Sequence, residues 1–234
     1  MRRTSLGLIC IASCLAQQAR LNFTGQVLGN LKGDDGTAIA GGYVSLALVP
    51  PYPKRLPQTS WTAVTAAEGT FQFGGLTDGR YRLCAQVPRS TWLSPCEWGL
   101  QPLAVTLTAA QPVLSLTIVM KRGAAVPIRI DDPGQLLSQH DGKTPGAHVL
   151  IGVGNDAFAF VPAPVISQDA NGRNHQVVIP FNSQVRLVVQ SSFFQLADGA
   201  GLPLAKARTI SIPLAVSAGQ QPAPIRLRVT GAGR

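Results

Sequence analysis

Charge, aromatic rings, sulfur and imidazole are all sparse in this chain of 234 residues: charged side chains make 13%, aromatics 6%, and there are four cysteines and three histidines. So little charge excludes a coiled coil, which needs about half its residues from a charged and helix-forming set. The shortage of aromatics, with no run of Lys or Arg, argues against a nucleic-acid reader, and no nucleic-acid partner is expected. His140, His148 and His175 are dispersed, without a His-x-x-x-His or His-Glu pair, so no metal site and no cofactor is expected. No Gly-x-Ser-x-Gly elbow occurs, and no apolar run is long enough to span a bilayer of about 30 Å.

What the sequence does have is apolar residues (45%), 24 glycines and 18 prolines, enough to build cores punctuated by turns. The net charge is +9, or +7 if Arg2 and Arg3 are removed with a leader. The remaining basic residues are spread along both halves, so a basic patch would have to assemble from alternate residues of strands.

Met1-Arg2-Arg3, the apolar run Leu6 to Ala12 and small residues up to Ala16 read as a signal peptide over 1–16, cleaved before Gln17. In an alternative reading, Ile11-Ala12-Ser13-Cys14 is a lipobox and Cys14 carries a lipid anchor. Either way the chain is expected to be exported, to the periplasm or the exterior in the first reading and to the outer membrane as a lipoprotein in the second. The mature chain keeps Cys84 and Cys96, whose expected state in an oxidising compartment is a disulfide closing a loop of about a dozen residues. Two free buried thiols are the alternative.

Strand-like runs fall at 21–29, 42–49, 60–65, 70–73, 80–87, 103–108 and 113–120, separated by turn signals such as Asp34-Asp35-Gly36, Glu68-Gly69 and Asp78-Gly79. The period is two. Between Arg80 and Val87, alternation puts Tyr81, Leu83, Ala85 and Val87 on one face, and Arg80, Arg82, Cys84 and Gln86 on the other. The fold class predicted is all-β, with two β-sandwich domains in tandem, over 17–121 and 122–234.

Thr24-Gly25-Gln26-Val27, Asp35-Gly36-Thr37 through Gly41-Gly42-Tyr43-Val44-Ser45-Leu46, Thr65 to Gly69, and Phe71 through Leu83 together resemble a carboxypeptidase regulatory-like domain. The resemblance covers 21–121 and implies a seven-stranded, transthyretin-like (prealbumin-like) sandwich, related to starch-binding-like modules. It places Leu76 and Tyr81 beneath a hairpin. Domains of this kind accompany zinc carboxypeptidases and outer-membrane receptors and occur in many exported bacterial proteins, so the resemblance implies a fold and an exported setting more than an activity. The Pro-rich insert Pro50–Gln58 departs from the pattern.

The segment from Pro88 to Gly99 holds Trp92, Cys96 and Trp98. Two indoles beside a disulfide would offer a braced platform for sugar rings, or would cover the disulfide and seal one end of the sandwich. In the second half, strands are expected at 125–130, 147–152, 176–180, 184–189, 209–214 and 225–229, with one short helix over 133–139 capped by Asp132. Gly152-Val153-Gly154 imitates a dinucleotide fingerprint, but Pro162 and Pro164 follow where a helix must begin. Asp169-Ala170-Asn171-Gly172 reads as a hairpin turn and not as a calcium loop. Asp131 and Asp132 would diverge to opposite faces of a strand. The functional expectation is a non-enzymatic exported binding or structural module of the bacterial envelope, with an envelope protein or polysaccharide as partner. The alternatives are a carbohydrate-binding module that uses Trp92 and Trp98, and an accessory domain protein of a hydrolase.

Overall fold

Apolar residues two apart can meet a common core only from a strand, and the chain folds accordingly. A computed structural model describes residues 24–50, 59–98, 103–155, 158–199 and 209–232. The leader, the Cys14 lipobox and most of the Pro50–Gln58 insert lie outside the described residues. Two compact units divide the chain: Met1–Val87 with Gln101–Met120, and Pro88–Leu100 with Lys121–Arg234.

The seven strands expected of the first unit are present. They are β1 (Gly25–Gly33), β2 (Tyr43–Leu48), β3 (Ser60–Val64), β4 (Thr70–Leu76), β5 (Gly79–Gln86), β7 (Leu103–Leu107) and β8 (Val113–Arg122). A two-residue strand, β6 (Trp92–Leu93), lies in the segment between β5 and β7. One sheet of this unit has the order β4-β1-β8 and the other β3-β2-β5-β7. All pairs are antiparallel except β1 with β8, which run parallel.

Alternation along β5 is as read from the sequence, with Tyr81, Leu83 and Ala85 buried and Arg80, Arg82 and Gln86 exposed. Val27, Leu31, Leu46, Leu76 and Leu107 join them in the core. Tyr81 keeps its hydroxyl satisfied by donating to the carbonyl of Thr77 at 2.8 Å, four residues upstream. Thr65 is buried and bridges two segments, its Oγ1 donating to Ile39 O at 2.7 Å and accepting from Gly42 N at 2.9 Å. Gly69 turns with φ +74°, and a Cβ there would strike the carbonyl of Leu31, so the position needs glycine twice over.

The second unit is also all-β. Its strands are β6, β9 (Ala124–Asp131), β10 (Leu150–Asn155), β11 (Phe158–Pro162), β12 (Val165–Asp169), β13 (Gly172–Ile179), β14 (Gln184–Gln190), β15 (Phe194–Asp198), β16 (Thr209–Ala215) and β17 (Ile225–Ala232), with one helix, α1 (Leu136–His140). They form a five-stranded sheet, β12-β13-β9-β17-β15, and a four-stranded sheet, β11-β10-β14-β16. Val126, Ile128, Ile130, Val177, Ile179 and Leu227 from the first pack with Ile151, Val153, Val185, Leu187 and Val189 from the second.

The segment from Pro88 to Leu100 belongs to this second unit and not, as the sequence suggested, to the first. The physical reason is apolar burial: Leu93 and Trp98 are 4% and 7% exposed and lie in the second unit's core. The last residues of β8 pair with β6, Trp92 opposite Arg122 and Leu93 opposite Lys121.

The short helix runs over Leu136–His140 and not 133–139, with Gln135 instead of Asp132 at its N-cap position, but the Asp132 side chain still serves its first turn. Both carboxylate oxygens of Asp132 accept backbone N–H groups, from Leu136 at 3.0 Å and Leu137 at 2.8 Å. Asp132 is buried, so these two bonds supply the partners that a desolvated carboxylate requires.

Candidate functional site

Cys84 and Cys96 are joined in a disulfide. Cys84 stands on the outward-facing register of β5, opposite Ser45 of β2. The two tryptophans near it in sequence have different fates. Trp98 is buried among apolar residues of the second unit, and an indole held there offers no face to a sugar. Trp92 is half-buried, and its ring is covered by the guanidinium of Arg122, 4.1 Å from the ring centroid. A shared platform of two indoles is therefore not what the chain builds, because one of the pair is spent on the core.

The histidines are placed apart and each has its own surroundings. His140, the last residue of α1, bonds through Nδ1 to Thr144 Oγ1 at 3.0 Å and packs on Phe193 with ring centroids 4.9 Å apart. His148 is exposed. His175 is buried on β13, and its Nδ1 lies 2.9 Å from the carbonyl of Ala163. A carbonyl only accepts, so Nδ1 carries the proton and Nε2 is left as a buried acceptor without a protein partner. Burial pushes the His175 imidazolium below its ordinary value of 6.5, against the opposing pull of the Ala163 bond, and the charge of Arg173 pushes the same way as burial.

The acidic residues of the second unit are tied into structure. Asp131 and Asp132 diverge as expected: Asp132 caps α1, while Asp131 Oδ1 accepts from Arg129 Nε at 3.0 Å. Asp169-Ala170-Asn171-Gly172 is the hairpin turn between β12 and β13, with Asp169 opposite Gly172. Asp169 Oδ1 accepts from the backbone of Asn171 at 2.8 Å, and both its oxygens accept from Arg129. The hydrogen bonds from Arg129, and after them the one from Asn171, lower the Asp169 carboxyl from 3.8 to about 2. Gly152-Val153-Gly154 runs within β10 and pairs with β11 and β14. A Cβ at Gly152 would collide with the Phe160 ring, which explains that glycine by packing.

Two open clefts carry no titratable lining. One, of about 390 Å³, lies in the second unit between Val126, Leu214, Val216, Gln220 and Pro222. The other, of about 320 Å³, lies in the first unit over Leu28, Asn30, Gln72 and Ser115.

The surface feature that sequence reading passed over is on the outward face of β5. Arg80 and Arg82, noticed there only as the polar side of an alternation, stand exposed on a sheet whose four strands contain no Asp or Glu. The signal was available in the spacing Arg-x-Arg within a strand, but without the neighbouring strands it could not be told from an ordinary solvated face.

No protein-family model matches the chain, and no curated protein does. Among solved structures, it is similar to the Bacillus anthracis TIE protein (9% identity, 88% of this chain and 34% of that one, TM-score 0.33). It is similar to a streptococcal ancillary pilin (11% identity, 88% and 62%, TM-score 0.43) and to a minor pilin of Streptococcus agalactiae (12% identity, 90% and 98%, TM-score 0.37). The chain thus spans about a third of the first and under two thirds of the second. Likenesses at this level carry no weight in the functional reading, which rests on the residues themselves.

Proposed function

We propose that this chain is an exported, non-enzymatic binding or structural module of the bacterial envelope, with a carboxypeptidase regulatory-like sandwich as its first half. The observation that carries the reading is the engagement of the side chains from which acid–base chemistry would be assembled. Asp132 caps a helix, Asp131 and Asp169 share Arg129, His140 leans on Phe193, and His175 is buried on a backbone carbonyl. These groups serve the fold in separate places instead of converging on an open cleft. A disulfide between the two cysteines of the expected mature chain supports an oxidising compartment, and the leader grammar of 1–16 supports export.

Of the aromatic carbohydrate reading, Trp92 remains, half-buried beside Arg122. A hydrolase reading would need the His and Asp residues of the second unit to converge, whereas His140 and His175 have separate surroundings and His148 is exposed.

The test is incubation of the purified, oxidised chain with isolated bacterial envelopes. Retention of the intact chain with no release of soluble sugar or peptide is the expected result. Release of fragments by the purified chain overturns the non-enzymatic reading, and failure to be retained overturns the binding one.

A further inference from the structure

Residues directly opposite one another in an antiparallel pair share a face of the sheet. The registers Ala47↔Arg82, Ser45↔Thr62, Arg82↔Ala104 and Arg80↔Thr106 therefore gather Arg80 and Arg82 with short side chains on the outward face of β3-β2-β5-β7. All of these residues are exposed, while Leu46, Tyr81, Leu83 and Leu107 of the same strands are buried on the other side. Residues two apart on a strand have Cα atoms about 6.8 Å apart, so the two arginines occupy neighbouring positions of one face.

Charge on this face is unbalanced. None of its four strands contains an Asp or Glu. The nearest acid along the sequence is Asp78, in the turn before β5, and among the described residues no ion pair joins it or either arginine side chain. The second unit provides the contrast. There Arg226 and Arg228 of β17 alternate in the same way, in register with Arg129 and Asp131, but that face also carries Asp131 and Asp169.

We propose that the outward face of this sheet binds an acidic polysaccharide, with Arg80 and Arg82 each receiving a carboxylate of the polymer. The proposal rests on the reading of the chain as an exported binding module and names the ligand class for it. The planar guanidinium fork matches a carboxylate through two parallel N–H···O bonds, and a row of two fits a polymer that repeats the group. Ser45, Thr62 and Thr106 around the arginines add hydroxyls that can both donate to and accept from sugar hydroxyls. The surroundings also select against other anions. The strand that bears the arginines, β5, is paired on both sides, so a peptide strand can add only at the edges β3 and β7 and not beside Arg80 and Arg82 themselves. The exposed aromatic of this face, Tyr43, stands opposite Gln86 and not opposite either arginine, and a single ring makes no membrane-interface belt. The net charge, +9 for the full sequence and +7 without Arg2 and Arg3, draws polyanions toward the chain without deciding where they settle.

The experiment measures binding of the oxidised chain to polygalacturonate, with neutral dextran, polyglutamate and anionic phospholipid vesicles as the other arms. Two double variants are compared, Arg80→Ala with Arg82→Ala and Arg226→Ala with Arg228→Ala. They remove equal charge from exposed positions, and circular dichroism checks that both fold. The expected result is saturable, salt-sensitive binding to polygalacturonate only, weakened about tenfold for each arginine lost from β5 and unchanged in the β17 variant. Equal weakening in both variants would reduce the effect to net charge and overturn the site. Preference for polyglutamate or vesicles would overturn the ligand class, and absence of binding would overturn the proposal while leaving envelope retention a separate result.

Discussion

The guanidinium of Arg129 grips the carboxylate of Asp169 with two parallel hydrogen bonds, Nη1 to Oδ2 at 2.7 Å and Nη2 to Oδ1 at 2.8 Å, across 40 positions of sequence. The same guanidinium donates through Nε to Asp131 on its own strand. Three strands of the five-stranded sheet, β9, β13 and β12, thus have their register fixed at one end, where the β12–β13 hairpin turns.

That pin has a pH signature. The Asp169 carboxyl is lowered from 3.8 to about 2, so its contribution is present above the unfolded value and is lost as pH falls through about 2. Thermal unfolding followed from pH 5 to pH 1.5 is expected to show wild type and Asp169→Asn converging at the acid end, with wild type the more stable above about pH 4. Parallel curves across the whole range would show that the carboxylate contributes nothing through its charge.

His175 gives the opposite end of the acid range. Its imidazolium is disfavoured by burial, so the unfolded chain takes up the proton first. Stability is full above about 6.5 and declines as pH falls below it. Substitution by Phe, similar in volume and unable to titrate, is expected to remove the decline between about pH 7 and pH 5. NMR titration of the ring should place its midpoint below 6.5.

Trp92 and Trp98 should separate cleanly in stability. Trp98→Ala empties a core position and is expected to cost about 3–5 kcal/mol. Trp92→Ala removes a ring stacked under Arg122 and should cost about 1 kcal/mol. Urea unfolding of the two variants reads the difference, and equal costs would contradict the placement of Trp98.

The disulfide closes a short loop, and converting Cys84 and Cys96 together to Ser is expected to cost about 3 kcal/mol by relaxing the unfolded chain. Reduction of wild type should lower its melting temperature to that of the double variant, which reduction leaves unchanged.

The strands legible in the sequence were those with an alternating buried face, and β5, β9, β14 and β17 show it most plainly. The four that escaped, β6, β11, β12 and β15, all lie at sheet edges. An edge strand has a neighbour on one side only and can carry proline where a central strand cannot, so Pro162 in β11 and the polar β12 did not read as strands. Trp98 was misread for a different reason: a loop residue has no period, and nothing local shows which core it enters. Asp132 before a proline reads as an N-cap, and its carboxylate does bond the first turn of α1, but the helix begins only after Gln135; the reach of Arg129 to Asp169 depends on pairing between distant strands and leaves no local signal. The arginine face of β5 was half visible, since alternation exposed the pair but only the registers of β2, β3 and β7 showed that those strands set no acid beside it.

Export in an oxidised form underlies the whole account, and an intact-mass and non-reducing peptide map of the chain recovered from its native cells tests it most directly. The account predicts a mature chain from the envelope or medium, beginning at Gln17 or at a lipid-bearing Cys14, with Cys84 bonded to Cys96. A chain recovered from the cytoplasm with residues 1–16 still attached and both thiols free would contradict it.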